Sequence, residues 1–465
     1  MFSSFFSSFL LFCIKIIASQ LSFWSKLFKK GSGTALPGLL IENYFLFLFE
    51  KLGKGFDKIL FITGTNGKTT TRSIINHVLA GKFGGGNIAT NTGGANILRG
   101  IASTLLLNLD WKNKPRGKIL ILEVEEASLP ILTKYIQPDS LLITNLFRDQ
   151  LDLYGECDKT IFYFNKSLEN ITKKLSLIIN FDDKKLLSSL KIKKNHELSG
   201  FSVSDLSVPG LDFENVSVQG QAGEIKVENQ INQQRNVVAS KIIQKIDKTI
   251  INYSIGNLES EGKKFTITLP LVGVYNVYNF LAAMAFLSFN YNDISNESIK
   301  LIEKIQPVFG RGEKISIRET NATLFLVKNP AGFNGSLKWL CSVLSDEKNN
   351  EKQKCVICLV NDNIADGRDV SWLWDVDFET SIGKRKSLIL KTGGTRGFDM
   401  LRRLQVAGIN VNSTDNFQSF QDVVEFMNEN GEFEYVIFHT YTALMELRKL
   451  LGRRINLQGI NKAGN

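Results

Sequence analysis

Gly64-Thr65-Asn66-Gly67-Lys68-Thr69-Thr70 follows the apolar run Ile59-Leu60-Phe61-Ile62 and precedes a helical pattern from Thr69 to about Ala80. Strand, glycine loop and helix in that order form the context of a phosphate-binding loop in an α/β sheet. The glycines let backbone N–H groups approach phosphate oxygens, and the helix N-terminus adds its dipole. Lys68 can reach β- and γ-phosphates, and Thr69 or Thr70 can hold Mg²⁺. Gly64, Thr65, Asn66, Gly67, Lys68, Thr69 and Thr70 are therefore candidate nucleotide-binding residues. Only Thr65 and Asn66 separate the glycines, a shorter spacing than that of a Walker A loop. A turn that only capped a helix would not require the lysine and both threonines.

The flanking chain alternates strand and helix patterns, which predicts a doubly wound α/β sheet. Ile119-Leu120-Ile121-Leu122 is a buried strand that ends in Glu123-Val124-Glu125-Glu126. Carboxylates at the C-terminal end of a central strand lie where ligands bind, so Glu123 is a candidate Mg²⁺ ligand. Leu141-Leu142-Ile143-Thr144 runs into the charged stretch 145–152, and Leu177-Ile178-Ile179 into Asn180-Phe181-Asp182-Asp183. Residues 200–265 are polar, Gln- and Asn-rich and alternating, which predicts a small β insertion or hairpin. Gly273-Val274-Tyr275-Asn276-Val277-Tyr278-Asn279 then opens an apolar helix, with Asn276 and Asn279 placed to cap it or to read a base edge. Beyond residue 306 a Rossmann-like α/β domain is predicted, with strands at 323–327, 355–360, 387–391 and 435–438 and helices at 397–406 and 442–451. Thr392-Gly393-Gly394-Thr395-Arg396 is a glycine turn that either holds substrate or connects elements.

The 465 residues, 43% hydrophobic and 22% charged, describe a globular protein of two or three domains. The net charge of +10 comes from scattered lysines rather than one basic stripe. That pattern argues for anionic substrates or lipid surfaces over nucleic acid. Cys13, Cys157, Cys341, Cys355 and Cys358 form no disulfide framework, and Cys355-Val356-Ile357-Cys358 lies inside a buried strand as core thiols. A nucleotide loop with reduced cysteines implies a cytoplasmic protein. Residues 1–29 carry Phe2, Phe5, Phe6, Phe9, Phe12 and Ile16 away from a Ser/Lys stripe. This is the pattern of an amphipathic helix lying on a membrane or docked on a partner domain. A transmembrane span would place Lys15 mid-bilayer at a cost of about 2.5–3.5 kcal/mol. A signal peptide would need a positive region before the apolar part. Gly31-Ser32-Gly33-Thr34-Ala35-Leu36-Pro37-Gly38 reads as a turn-rich linker before a helix at 39–52.

Together the Gly-Thr-Asn-Gly-Lys-Thr loop, Glu123, Asn180-Phe181-Asp182-Asp183, the 273–279 motif and Gly310-Arg311 resemble the Mur ligase superfamily, from about residue 55 to residue 313. The resemblance implies ATP and Mg²⁺, an acyl-phosphate intermediate and attack by an amine. It also implies nucleotide contacts from Asn276, Asn180 and Asp182, and a role for Arg311 in bridging the domain junction to the phosphates. The division it implies is an N-terminal helix and linker (1–54), a central ATP-binding domain (55–305) and a C-terminal domain (306–465). About 60 residues precede the loop, too few for a UDP-binding domain, and Asp149-Gln150 replaces a Mg²⁺-binding histidine motif. Lys166 lies near the position of a carbamylated lysine, without a firm register.

Phe147-Arg148-Asp149-Gln150-Leu151-Asp152, Lys328-Asn329-Pro330-Ala331-Gly332-Phe333-Asn334 and the string from Asn361 through Gly367-Arg368-Asp369-Val370-Ser371-Trp372 to Glu379 resemble the MurT branch, ligase subunits of lipid II isoglutaminyl synthase. That branch implies amidation of the D-glutamate α-carboxylate of lipid II, with ammonia from a GatD-like glutamine amidotransferase. It implies that Asp369 completes the partner's Cys–His pair. Some members carry a four-cysteine zinc ribbon; residues 158–340 contain no cysteine, so zinc is not expected. The chain's histidines, His77, His196 and His439, have no cysteine in a nucleophile-like turn beside them, which agrees with a glutaminase on another polypeptide. Rival readings are a folylpolyglutamate-synthase-like ligase, which needs no such partner, and a non-catalytic ATP-binding scaffold.

Overall fold

The computed structural model describes residues 10–16, 35–91, 95–147, 157–205, 235–257, 262–291, 295–308, 310–317, 320–345, 352–383 and 388–452. Its first sheet has nine strands: β1 (Lys58–Thr63), β2 (Ile88–Thr90), β3 (Ile119–Glu123), β4 (Ser140–Ile143), β5 (Leu175–Asn180), β6 (His196–Val203), β7 (Arg235–Gln244), β8 (Thr249–Asn257) and β9 (Lys263–Leu269). The order is β2-β3-β1-β4-β5-β6-β7-β8-β9, parallel from β2 through β7. β1 is apolar without alternation because both faces are covered. Phe61 joins the core with Leu120, Leu122 and Ile143, while Leu60 and Ile62 join the opposite core with Ile121 and Leu142. After β1 the chain builds β2 and β3 on one side and then crosses to β4 and β5 on the other. The crevice at that reversal, beyond the carboxyl ends of β1, β3 and β4, is where an open sheet binds ligands.

Of the two expectations for 200–265, the hairpin holds for its described part and a separate insertion does not. β7, β8 and β9 extend the main sheet, with β8 and β9 antiparallel at its edge. The polar alternation has a direct cause. Val237, Ala239, Ile251, Tyr253, Ile267 and Leu269 face the core under the helix Val274–Tyr291, so only one face is apolar. Residues 206–234 lie outside the described residues.

The second sheet holds β10 (Arg311–Ile317), β11 (Thr320–Leu326), β12 (Lys354–Leu359), β13 (Ile389–Gly393) and β14 (Glu434–His439) in the order β10-β11-β14-β12-β13. Only β10 is antiparallel. Cys355 and Cys358, three apart on β12, belong to opposite cores, so they share no face; burial pushes both thiols up, that of Cys355 to about 12. Helices Pro330–Ser345 and Phe420–Glu429 are absent from the sequence prediction. Pro330 and glycines 332 and 335 mask the first, yet proline is well tolerated at a helix start. The second is marked by a capping box between Ser419 and Asp422.

Residues 35–38, the described part of the expected linker, differ from expectation. A helix runs over Ala35–Tyr44, and Gly38 is a packing residue rather than a turn. Its N–H donates to Ser103 Oγ at 3.1 Å, and a Cβ there would lie 1.7 Å from the Arg99 carbonyl oxygen of the helix Leu98–Leu107. Residues 10–16 form a helical turn pair that buries Leu11 and Ile14 in the first core, with Lys15 Nζ donating to the Asp110 carbonyl. This part of the N-terminal segment is docked on the chain's own domain; residues 1–9 and 17–34 lie outside the described residues. Among the described residues no helix is long and apolar enough to cross a membrane.

Phe333 packs against Phe378 at 5.2 Å and Phe438 at 4.8 Å, ring centroid to centroid, in the C-terminal core. Phe333→Ala should cost about 3–5 kcal/mol, seen as a lower urea midpoint for the C-terminal domain, whereas an unchanged midpoint would contradict this packing.

Candidate active site

The loop after β1 is held by close backbone approach. Gly64 and Gly67 have φ of 117° and 88°, values that favour glycine. A Cβ on Gly64 would lie 2.3 Å from Thr144 Oγ1, and one on Gly67 2.0 Å from Asn279 Oδ1. Asn145, just beyond β4, accepts from Thr65 N through its carbonyl at 3.1 Å and from Asn66 N through Oδ1 at 2.9 Å. Thr144 Oγ1 donates to the Asn66 carbonyl at 2.7 Å. The loop is thus fixed before any ligand arrives, with the helix Lys68–Phe83 starting inside it.

Lys68 begins that helix as a buried ammonium. Its Nζ donates to the Gly64 carbonyl at 2.6 Å and to Glu126 Oε1 at 2.8 Å, and stands 3.7 Å from Glu125 Oε2. Burial alone would lower its pKa, but Glu125, Glu126 and Glu123 outweigh burial and hold it above the ordinary lysine range. Burial, opposed by Lys68 and reinforced by Glu125, pushes the Glu126 carboxyl well up. Beside them Thr69 Oγ1 donates to Glu123 Oε1 at 3.0 Å, and Arg72 Nε lies 3.7 Å from Glu123 Oε2. Asn91 fixes the Glu123 backbone from both sides, its Nδ2 donating to the carbonyl at 2.7 Å and its Oδ1 accepting from the amide at 2.9 Å.

A cavity of about 310 Å³ opens over this group. Its floor is the loop with Glu123, Glu125 and Asn145; its roof is Arg311, the strand ends of the second sheet at Val327 and Thr440, and Asp366 of the loop after β12. The two sheets therefore present their carboxyl edges to one space. A reciprocal amide pair joins them, Asn66 and Asn329 exchanging two hydrogen bonds of 3.2 Å. Tyr275, hydrogen-bonded to Ser336, and Trp339, whose Nε1 donates to the Lys245 carbonyl at 3.4 Å, add further links. Arg311 Nη1 is buried without a hydrogen-bond partner among the described residues, and burial lowers its pKa against the pull of Glu123. An unpaired buried guanidinium nitrogen, a buried ammonium and a helix N-terminus complement a polyphosphate. Thr69 and Glu123 are the hard oxygen donors that a divalent cation takes.

Comparisons with known proteins agree with this geometry. Residues 62–287 match the Mur ligase middle domain, and residues 326–444 match the MurT ligase C-terminal domain. A lipid II isoglutaminyl synthase (glutamine-hydrolyzing) subunit MurT of Streptococcus pneumoniae is 31% identical, over 91% of this chain and 93% of that protein. Its counterpart from Staphylococcus aureus is 30% identical, over 92% and 96%. The chain belongs to the MurT family of the Mur ligase superfamily. The fold is shared with MurF of Acinetobacter baumannii (TM-score 0.60, 15% identity, 88% of this chain and 78% of that one). It is shared equally with MurF of Thermotoga maritima solved with ADP (TM-score 0.59, 15% identity, 92% and 86%).

Within this MurT-family chain the sequence candidates separate. Thr65, Asn66, Gly67, Lys68, Thr69, Thr70, Glu123 and Arg311 line the cavity, and Gly64 shapes it from behind. Asn276 does not line it; it supports Asn279, which does, through a 3.1 Å hydrogen bond. Asn180 and Asp182 also stand back: Asp182 Oδ2 accepts from Tyr278 OH at 2.8 Å, and Tyr278 reaches the cavity. Asp369 is outside the cavity and half-buried, accepting from Ser371 N at 2.8 Å and Ser371 Oγ at 2.9 Å. Trp372 is buried in the core, while Trp374 is half exposed beside the Arg403 guanidinium. Lys166 pairs with Glu169 at 3.1 Å on an exposed surface, and Asp149-Gln150 lies outside the described residues. The glycine turn at 392–396 is a brace: Thr395 Oγ1 and Arg396 Nε donate to Asp362 at 2.7 and 2.8 Å.

Sequence reasoning missed the partners of Lys68. Glu125 and Glu126 stood in the strand-end string, but nothing local showed that they turn back to the loop. Asn329 and Tyr275 required the second domain to be placed. Lys68→Met should leave the carboxylates without their cation and destabilise the fold by about 3–5 kcal/mol near pH 8. Their folded-state pKa values would then lie above the unfolded ones, so protonation favours the fold and the deficit should shrink as pH falls towards about 5. Scanning calorimetry at both pH values checks this; a pH-independent deficit would contradict it.

Proposed function

We propose that the protein amidates the α-carboxylate of D-glutamate in the lipid II stem peptide, giving D-isoglutamine, with ATP as phosphoryl donor. A GatD-like glutamine amidotransferase partner would supply the ammonia. The observation that carries this reading is the cavity that places Lys68, Glu123 and Arg311 between a Mur-type domain and a MurT-type domain. The names of the Streptococcus and Staphylococcus relatives, matched over nine-tenths of the chain, supply the substrate and the subunit relationship.

A carboxylate oxygen is a poor leaving group, so the acid must be activated. Its oxygen bonds to the γ-phosphorus as the bond to the ADP oxygen breaks. Ammonia then attacks the carbonyl carbon, inorganic phosphate leaves and the nitrogen gives up a proton. Lys68 and Arg311 neutralise charge developing on the phosphoryl oxygens. Thr69 and Glu123 would hold Mg²⁺, which supplies positive charge to the phosphates. Closure across the junction that Asn66 and Asn329 bridge would keep water from the reacting acid. Asp369, held at the surface by Ser371, would orient the partner's histidine. A lipid-linked substrate supports a location in the cytoplasm at the inner membrane face. A folylpolyglutamate-synthase-like ligase would have no use for the MurT-type C-terminal domain at 326–444.

In a complex reconstituted with the partner, Lys68→Ala should lose amidation with glutamine and with ammonium chloride alike, by at least about 10²-fold. Asp369→Ala should lose the glutamine-driven reaction and keep the ammonium-driven one. Product formation by mass spectrometry reads both, and retention of amidation in Lys68→Ala would favour a non-catalytic scaffold.

A further inference from the structure

Residues 107–118 carry a feature that the phosphate site leaves unused. Trp111 is 86% exposed and Leu107 52% exposed. The ring is not on a loose loop. Asp110 N donates to the Lys114 carbonyl at 2.7 Å, and the amides of Lys112 and Lys114 both donate to Asp110 Oδ1 at 2.8 Å. Arg116 N closes the base on the Asn108 carbonyl at 2.8 Å, and Asn113 takes a φ of 58° to make the turn. Asp110, the acid of this loop, is thereby turned onto the loop's own amides. Lys112, Lys114, Arg116 and Lys118, within seven residues of the tryptophan along the chain, are all exposed. The helical residues 10–16 meet the same loop through Lys15 and the Asp110 carbonyl, and leave Phe12 and Ile16 42% and 45% exposed.

The geometry points to this loop as a docking surface for an anionic phospholipid bilayer, with Trp111 in the interfacial layer and the surrounding cations on headgroup phosphates. Tryptophan is the side chain suited to that layer, having an apolar body and one polar N–H. Clustered cations gain from the negative surface potential of an anionic leaflet, and they outnumber the loop's one acid, Asp110, whose Oδ1 is engaged by the amides of Lys112 and Lys114. Phe12 and Ile16 add exposed apolar surface on the helical residues that meet the loop through Lys15. The loop enters β3 at its amino end, whereas Glu123 ends β3 at the cavity, about 16 Å away for five strand residues. Docking through this edge leaves the opposite, cavity-bearing edge uncovered. The inference deepens the membrane reading proposed above and rests on it.

The test uses the full chain and sedimentation with vesicles of phosphatidylglycerol and phosphatidylcholine, against vesicles of phosphatidylcholine alone. Wild type should bind the anionic vesicles preferentially. A Lys112→Ser/Lys114→Ser/Arg116→Ser variant should bind them about tenfold or more weakly. Trp111→Ala should also weaken binding and remove part of the blue shift in tryptophan emission. Both variants should keep the wild-type melting temperature and the amidation rate on a soluble, lipid-free substrate analogue. Loop variants that bind like wild type, while deletion of residues 1–29 abolishes binding, would overturn the loop as a docking surface and leave the membrane reading standing. Failure of wild type to bind any vesicle would overturn both. Retention on a polynucleotide in place of vesicles would overturn the lipid assignment and give the surface to nucleic acid.

Discussion

A buried lysine organises this molecule. Lys68 sits at a helix N-terminus, where the dipole disfavours a cation, and out of contact with bulk water. Carboxylates at the end of the neighbouring strand and the Gly64 carbonyl make that position stable. The requirement propagates. β3 must lie beside β1 in a register that pairs Ile62 with Glu123, so that the strand-end acids arrive opposite the loop. Gly64 and Gly67 must be glycines, because Thr144 and Asn279 occupy the space of a side chain. Asn91 must grip the strand end so that Glu123 meets Thr69.

The second constraint is closure from above. Arg311 opens β10, at the antiparallel edge of the C-terminal sheet, and brings an unpaired guanidinium nitrogen to the same space. Glu123 acts on this charge from nearby, but the nitrogen itself has no hydrogen-bond partner among the described residues, so it is available to an anion. The links across the junction are both polar and apolar: the Asn66–Asn329 amide pair and the Tyr275–Ser336 contact, and Val272, Tyr275 and Ile246 packed into the C-terminal core with Phe325 and Trp339.

Much of the architecture was legible in the residues. β1, β3, β4 and β5 read as apolar runs because both faces of a parallel sheet are covered, and the four parallel strands of the second sheet read for the same reason. The edge strands β7 to β9 were harder to assign to the same sheet, since a one-sided strand alternates whether it belongs to an insertion or to a sheet margin. The helix at Pro330–Ser345 was obscured by proline and glycine, whose cost is outweighed by Phe333, Leu337 and Trp339 entering the core. At the site, the loop and Glu123 were visible because their spacing is local. Glu126 against Lys68, 58 residues apart, and Asn329 against Asn66, 263 apart, were not.

The sequence by itself determined the α/β class, the phosphate loop, the strand-end carboxylate and the resemblance to the Mur ligases, since each depends on short spacings that periodicity and backbone chemistry interpret. Tertiary structure alone decided which groups share the cavity. It turned Glu125 and Glu126 onto Lys68, set Asn276 and Asp182 behind Asn279 and Tyr278, and kept Asp369 out of the cavity. The physical reason is that a buried charge is satisfied by whichever groups the packed sheets bring within about 3 Å, and strand order, not sequence separation, determines which those are.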